Sequence, residues 1–347
     1  MSDASIPVTP LQPWRRTREA VRRDVVTFLG VGVLAYVIVL FTGFARVDGW
    51  LLVFFTLSFG LVYRRARKMS AKDRRNAIIQ VVIIAAAVVA FLPWMSILFS
   101  VLTKGVTAFR LNFFYSDMRT TTPDDELTLG GAAHALLGSL TMVIIATVIT
   151  LPLGILSGVY VTEVRGRLTG LVRFVIQSMS GVPSIVAGLF IYTTYVNATN
   201  SFSAFAGSLA LGVLMLPTVA RTSEEVLKLV PEDLRAASYA LGSRQWRTIL
   251  LVVLPTVRSG LTTAAILGVA RVIGETAPLL LTSLSNTSFV FNPIHGPMAS
   301  MPMYVFGLLQ IGTEYAIARA WAGSALLLII VFALFALARR LGGKDRR

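Results

Sequence analysis

Eight apolar runs divide the chain, at 25–45, 48–63, 77–102, 134–161, 170–195, 206–221, 259–283 and 319–338. Most approach the ~20 apolar residues that a helix needs to cross a bilayer core. The runs 48–63 and 206–221 are shorter and suit a locally thinned bilayer. The pattern predicts an all-α polytopic membrane protein of about eight transmembrane helices. The first two runs are joined by the tight turn FARVDGW and read as a hairpin. The basic run RRARKMSAKDRR then sets this pair apart from the other six. Three parts follow: a polar arm over 1–24, a transmembrane hairpin with its basic linker over 25–76, and a six-span core over 77–347, whose main membrane part is about 134–338.

The longest polar interruption inside the core is 222–258, and 230–255 reads VPEDLRAASYALGSRQWRTILLVVLP. Pro231 suits a first helical position, where a missing N–H costs nothing. Glu232 and Asp233 follow, where negative charge complements the helix dipole. Leu234, Ala237 and Leu241 form a small apolar stripe, and Gly242 ends it with ready access to positive φ. Ser243 can cap a second helix with the stripe Trp246, Ile249, Leu250 and Val253, closed by Pro255. A helix–turn–helix outside the bilayer, tethered to a span at each end, is expected.

Composition supports the membrane reading. Only 14% of the residues are charged and the mean hydropathy is +0.73, against about 25% charged in soluble domains. There is no Cys, so disulfides and thiolate chemistry are excluded. His134 and His295 are the only histidines and have no partner at ligand spacing, which argues against a metal site. The net charge of +15 raises the question of nucleic acid, but its distribution answers it. Of the 32 Lys and Arg, 26 fall in alternate segments, namely 1–23, 64–76, 162–173, 221–258 and 339–347. The intervening segments hold four, and Arg271 and Arg319 complete the set. That alternation is the positive-inside rule and places both termini in the cytoplasm. The charge reports topology, with contact to anionic membrane lipid, and no nucleic-acid partner.

The arm 1–24 contains Pro7, Pro10 and Pro13 and reads as irregular. The run from Val25 is too long for a signal-peptide core and lacks a small-residue cleavage site, so it is expected to stay as a span. The outward segments 103–133, with Asp117, Asp124, Asp125 and Glu126, and 284–318, rich in Ser, Asn, Pro and Met, are solvated loops that could also receive a soluble protein.

Breakers and small residues recur within the core. Gly154 and Gly158 follow Pro152 and make a small-xxx-small pair that permits close helix approach. Gly181, Pro183, Ser184 and Gly188 punctuate the next run, and Pro217 is expected to bend the one after. The run 259–283 contains GVARVIGETAPLLLT. Gly268, Arg271, Glu275 and Pro278 are spaced 3, 4 and 3 and are expected to share one helical face, on which Arg271 can pair with Glu275 at i,i+4. Arg271 stands 12 residues past Ser259, or ~18 Å into the span at ~1.5 Å per residue. A charge there costs at least ~2.5 kcal/mol and normally faces a bundle interior or a watery path. Two readings follow: a structural ion pair, or a guanidinium that handles an anion, for which its fork of donors is suited. No phosphate-cradling Gly-x4-Gly-Lys-Ser/Thr occurs, and Gly343-Lys344 lacks the leading Gly, so the chain is not expected to hydrolyse ATP.

Two sets of motifs carry a resemblance. Ala236, Ala237, Ser238, Gly242, Val252, Leu254 and Pro255 match in spacing the Glu-Ala-Ala, three residues, Gly, nine residues, Ile-x-Leu-Pro signature of ABC importer membrane subunits, with Ala236 in place of the Glu. SGVPSIVAGLFIY, LALGVLMLPTVARTSEEVLKLVPEDLRAASYALG and RVIGETAPLLLTS resemble the phosphate-specific permease subunits of the PstA type, from about Leu129 to Ala338. The resemblance implies a type I importer core to which the N-terminal hairpin is an addition. It implies that the 231–254 loop, through Ala236, Ala237, Ser238, Gly242, Leu254 and Pro255, docks on a separate ATPase. It raises Arg271 and Glu275 as substrate-path residues and leaves Pro183, Gly154, Gly158, Pro217 and Pro278 to kinks and packing. The implied partners are a PstC-type permease, two PstB-type ATPases that use ATP and Mg, a periplasmic PstS-type phosphate-binding protein and inorganic phosphate, in a bacterial cytoplasmic membrane. No cofactor is expected on this chain. The alternatives are a permease for another oxyanion, a non-transporting membrane scaffold or signalling protein, and a secondary transporter, for which no inverted repeat is visible.

Overall fold

Helix accounts for every regular element among the described residues. The computed structural model describes residues 18–42, 47–67 and 70–342. The proline-containing part of the arm at 1–17, part of the hairpin turn at 43–46, two residues of the basic linker at 68–69, and the tail 343–347 with Gly343-Lys344 lie outside them. The chain divides into two compact units, Met1–Ile97 and Leu98–Arg347.

In the first unit α1 (Arg18–Thr42) and α2 (Val47–Ala66) form the hairpin. Trp50 stacks on Phe54 at 5.2 Å and donates Nε1–H to the Gly32 carbonyl at 3.0 Å. An indole buried in an apolar setting needs that one acceptor. α3 (Ala71–Gly105) opens on a reciprocal cap: Ser70 Oγ accepts from the Asp73 amide and donates to the Asp73 carboxylate. It begins in this unit and ends in the second.

The second unit continues through α4 (Leu111–Tyr115), α5 (Ala133–Val159), α6 (Thr169–Ser180), α7 (Ser184–Ile191), α8 (Asn197–Thr199) and α9 (Ala204–Leu227). Wide turns extend α5 to Val164 and link α7 to α8. Then come α10 (Glu232–Ala240), α11 (Gln245–Thr248), α12 (Leu254–Thr256), α13 (Arg258–Val272), α14 (Ala277–Thr282), α15 (Met301–Ile311) and α16 (Glu314–Gly342). Among the described residues five helices are long and apolar enough to cross a membrane, or up to seven if each of two bent pairs is one span. The helix α9 is central: 67% of its apolar stretch is buried, against 28% for α16.

Three runs differ from their expected form. The run at 206–221 belongs to a 24-residue helix, because polar residues carry it on to Leu227. Ser203 caps it, accepting from the Ala206 amide, and Glu224–Lys228 supports its last turn at i,i+4. The helix continues through Pro217. The run 170–195 is two helices bent by 108°. Pro183 cannot donate to the ladder, and its ring would strike the carbonyl four residues back. The run 259–283 breaks after Val272, for a reason given below.

Candidate functional site

Lipid tails are as apolar as leucine, so helices in a bilayer cohere by close fit rather than by escape from water. Glycines provide that fit around α9. A Cβ on Gly154 would lie 2.7 Å from Val219 Cγ1, and one on Gly158 would lie 3.0 Å from the Glu224 amide. From the other side, a Cβ on Gly268 of α13 would meet Val219 Cγ2 at 2.7 Å. A Cβ on Gly188 of α7 would stand 2.6 Å from Pro278 Cα. The two helices that follow the chain breaks, α7 and α14, therefore pack backbone to backbone. Met142, Leu211, Met215 and Val219 fill the space between α5 and α9.

Arg271 and Glu275 do not share a helical face. α13 ends at Val272, a turn covers Ile273–Gly274, and α14 starts at Ala277. In a continuous helix the Pro278 ring would collide with the Gly274 carbonyl; after the break, Pro278 takes the second position of α14, where no N–H is needed. Among the described residues neither Arg271 nor Glu275 makes an ion pair, so the expected i,i+4 pair is absent. Each charge sits instead beside a helix end of complementary sign. Arg271 is in the last turn of α13, where exposed carbonyls favour a cation, and Glu275 precedes the amide end of α14. Arg271 is exposed and Glu275 half-buried. The arrangement leaves an always-charged fork of donors free on an apolar element.

The 230–255 segment forms its two helices with shifted ends. Pro231 is the residue before α10 rather than its first, and Arg244, not Ser243, precedes α11 with no side-chain cap. Pro255 does not close the second helix. A wide turn carries α11 through Val253 into α12, and the chain bends by 74° at Val257. Gly242 has φ +79° and donates its N–H to the Tyr239 carbonyl at 2.9 Å. Ala236 and Ala237 are exposed, Ser238 is buried against Thr248 with their hydroxyls 2.9 Å apart, Leu254 packs under the loop beside Val253, and Pro255 is exposed. Leu241 is 87% exposed, so it presents an apolar tip instead of joining a buried stripe.

The residue that anchors this loop escaped sequence reasoning. Arg235 donates to both oxygens of Glu163, at 3.0 and 2.7 Å, and to the carbonyls of Val230 and Leu227 at 2.6 and 3.1 Å. Gln245 adds a bond from Nε2 to the Glu163 carbonyl at 2.8 Å. The Glu163 hydrogen bond raises the Arg235 pKa above its ordinary value. The loop is thereby clamped to the end of α5, 72 residues earlier in the chain. A carboxylate at the end of an apolar run, facing an arginine on a later polar helix, was the available signal.

Arg319 was also missed. It is 2% exposed and has no carboxylate partner among the described residues. Its NH1 donates to the carbonyls of Pro123 and Asp125 at 2.8 and 2.9 Å, and its NH2 to those of Glu126 and Leu129 at 2.8 and 2.9 Å. Asn112 holds the same loop through the carbonyls of Leu127 and Gly130. The Met118 amide binds the Thr287 carbonyl, which ties segment 103–133 to segment 284–318. Among the described residues no group of three or more His, Asp or Glu could hold a metal ion.

Comparison with known proteins gives consistent likenesses. The family model described as the binding-protein-dependent transport system inner membrane component matches residues 150–344. The chain is 38% identical over 288 residues to the phosphate transport system permease protein PstA of Yersinia pestis, covering 82% of this chain and 96% of that one. It is 40% identical over 268 residues to the phosphate transport system permease protein PstA 1 of Mycobacterium tuberculosis strain H37Rv, covering 76% and 86%. A chain from the structure titled inward facing conformations of the MetNI methionine ABC transporter aligns with TM-score 0.51 at 20% identity, over 62% of this chain and 94% of that chain. At that identity the likeness is one of fold.

Proposed function

This chain belongs to the binding-protein-dependent transport system inner membrane components, within them to the PstA-type phosphate permeases, and from that premise we infer that Arg271 lies on the path of the transported anion. The protein is a membrane permease subunit of a phosphate ABC importer; ATP is hydrolysed by a partner, not by this subunit. It acts in a transporter complex with another permease, an ATPase and a binding protein.

The observation that carries the path assignment is the free, exposed guanidinium of Arg271 at the broken end of an apolar helix. A structural ion pair would have its partner in place. A charge held for an anion is left available, and the C-terminal carbonyls of α13 stabilise it while it waits. Phosphate suits the guanidinium because its oxygens match the fork of donors. Glu275, four residues further on and just before α14, would keep Arg271 from trapping the anion. The exposed surface of 231–254, with Ala236, Ala237, Gly242 and the apolar tip at Leu241, is the contact for the ATPase. Closure of a pair of PstB-type ATPases, using ATP and Mg, would pull that loop, and the Arg235–Glu163 clamp would pass the pull to α5. A PstC-type permease completes the path, a PstS-type protein delivers phosphate from outside, and the chain lies in the bacterial cytoplasmic membrane with both termini inside.

Uptake of labelled phosphate and of labelled sulfate by the assembled complex tests this. Arg271→Gln should abolish phosphate uptake with the complex still assembled, and Arg271→Lys should restore part of it, since an ammonium is a charge without the fork. Glu275→Gln added to Arg271→Gln should not restore uptake. Wild-type uptake in that double variant would remove Arg271 from the path; sulfate preference in the wild type would replace phosphate by another oxyanion.

A further inference from the structure

We propose that the protein also binds a phosphate group outside the transport path, in a cavity of about 440 Å³ where α5, α6, α9 and α10 meet. Arg165, Thr169, Arg173, Lys228, Glu232 and Arg235 line it. Four cations thus face one lining carboxylate. Arg235 is already saturated by Glu163 and two carbonyls and forms a wall. Arg173 and Lys228 converge on a single oxygen, Glu224 Oε1, at 2.9 and 2.7 Å. One carboxylate oxygen cannot occupy the roughly eight N–H donors that an arginine and a lysine carry between them. Arg165 spends its Nε–H on the Thr162 carbonyl at 2.8 Å and has no carboxylate partner among the described residues. Thr169 Oγ1 is buried with no hydrogen-bond partner, which is a costly state unless something binds there.

The donors come from three separate places: the turn after α5, the first half of α6, and the residue after α9. Convergence from three directions suits a tetrahedral group of oxygens better than a planar carboxylate, which is met by a two-pronged fork. Depth agrees. The extended α5 ends at Val164 and α9 ends at Leu227, so the cavity lies where two spans leave the apolar layer. Basic pockets between spans at that level are where lipid phosphates settle. Phe174, next to Arg173 on α6, is exposed, and Leu229, next to Lys228, is 78% exposed. These would meet acyl chains if the phosphate is a lipid headgroup. A free phosphate on the loop side is the other source of the same chemistry. In either case the bound group bridges α6 to the turn after α5 and to the end of α9, beside the Arg235 wall that opens the segment assigned to ATPase contact. The location of this face on the cytoplasmic side rests on the preceding reading; binding itself does not require transport.

The test uses the purified whole complex, including its ATPase, carrying Arg271→Gln so that the path contributes no binding. In one arm it is reconstituted in phosphatidylcholine with minor phosphatidylglycerol, re-extracted, and the retained lipid is measured by mass spectrometry. In the other, radiolabelled inorganic phosphate is titrated onto the complex in phosphatidylcholine alone. One of the two probes should bind, and Arg165→Gln with Thr169→Val should weaken it at least about thirtyfold, the loss of one charge-assisted bond and one neutral bond. Retained phosphatidylglycerol assigns a lipid headgroup, and saturable inorganic phosphate assigns the free anion. Thr169→Val alone keeps every charge and should weaken binding about threefold, which covers the case where the double variant fails to assemble. Binding of neither probe, or binding unchanged by these substitutions, overturns the proposal. A chain that carries a different oxyanion would fail the uptake test and leave these results intact.

Discussion

Two arginines inside apolar runs, Arg271 and Arg319, look alike in the sequence and differ in what surrounds them. Arg319 is buried with four carbonyl oxygens on its two terminal nitrogens. Its charge is met by backbone dipoles, and in return it folds the 116–131 loop around itself. Arg319→Met would leave those carbonyls unpaired at a cost of roughly 3–5 kcal/mol, in the range of buried-network losses. The expected outcome is a lower melting temperature of the purified complex and new protease cleavage between Asp117 and Gly131. Unchanged melting and protection would show that the loop folds without the arginine. Arg271 has no such nest, so removing its charge should affect uptake far more than melting. The pair separates a structural arginine from a functional one by which measurement moves.

At the scale of elements, the breaks are set by proline and held by glycine. Pro183 and Pro278 end continuous helix, and Gly188 lets the two following helices touch. Gly188→Val would put a side chain where 2.6 Å now separates the would-be Cβ from Pro278 Cα. Backbone must then move, and uptake and assembly should both fall. Gly170→Ala on α6 is the control, since nothing lies within 4 Å of its Cβ. It should be neutral or stabilise by about 0.5–1 kcal/mol through lost chain freedom. If the two variants behave alike, the close approach of α7 and α14 does not matter. The turn at Gly242 is a different case. Space is open there, and the obstacle is φ +79°. Gly242→Val should cost about 1–2 kcal/mol of backbone strain. It should loosen ATPase co-purification while leaving the membrane core intact, measured by pull-down and by melting. Normal co-purification with normal uptake would remove the loop from the contact.

For the whole molecule the outstanding prediction is orientation. Segment 284–318 has no Lys or Arg and should face outward. The absence of Cys allows single-site labelling. Asn286 is half-buried and hydrogen-bonded to Ser288 and the Pro297 carbonyl, so the exposed neighbour Ser285 is the better site. Ser285→Cys should react with an impermeant maleimide in intact cells after outer-layer permeabilisation. Reaction only after the inner face is opened would invert the topology.

Hydropathy, charge alternation and a few breakers were enough to determine the membrane class, the helical fold and the loop of two short helices, and the family was legible in the motifs that resemble it. These are sums over many residues, and no single contact decides them. Span ends were less legible. At α9 the apolar signal stops near Arg221 while the helix runs on to Leu227, because i,i+4 ion pairs sustain helix where hydropathy does not. The candidate site was legible only in part. Gly242 and Arg271 stood out by type and position, but the Arg271–Glu275 pair rested on assuming an unbroken helix, which Pro278 and the packing of α14 on α7 rule out. Arg235–Glu163, the carbonyl nest of Arg319 and the basic cavity beside Thr169 join residues from 51 to 196 positions apart. A linear pattern carries no term for such distances. Only tertiary packing brings those charges together and decides which are spent on each other and which remain free: α16 against the 123–129 loop for Arg319, and α5, α6, α9 and α10 for the clamp and the cavity.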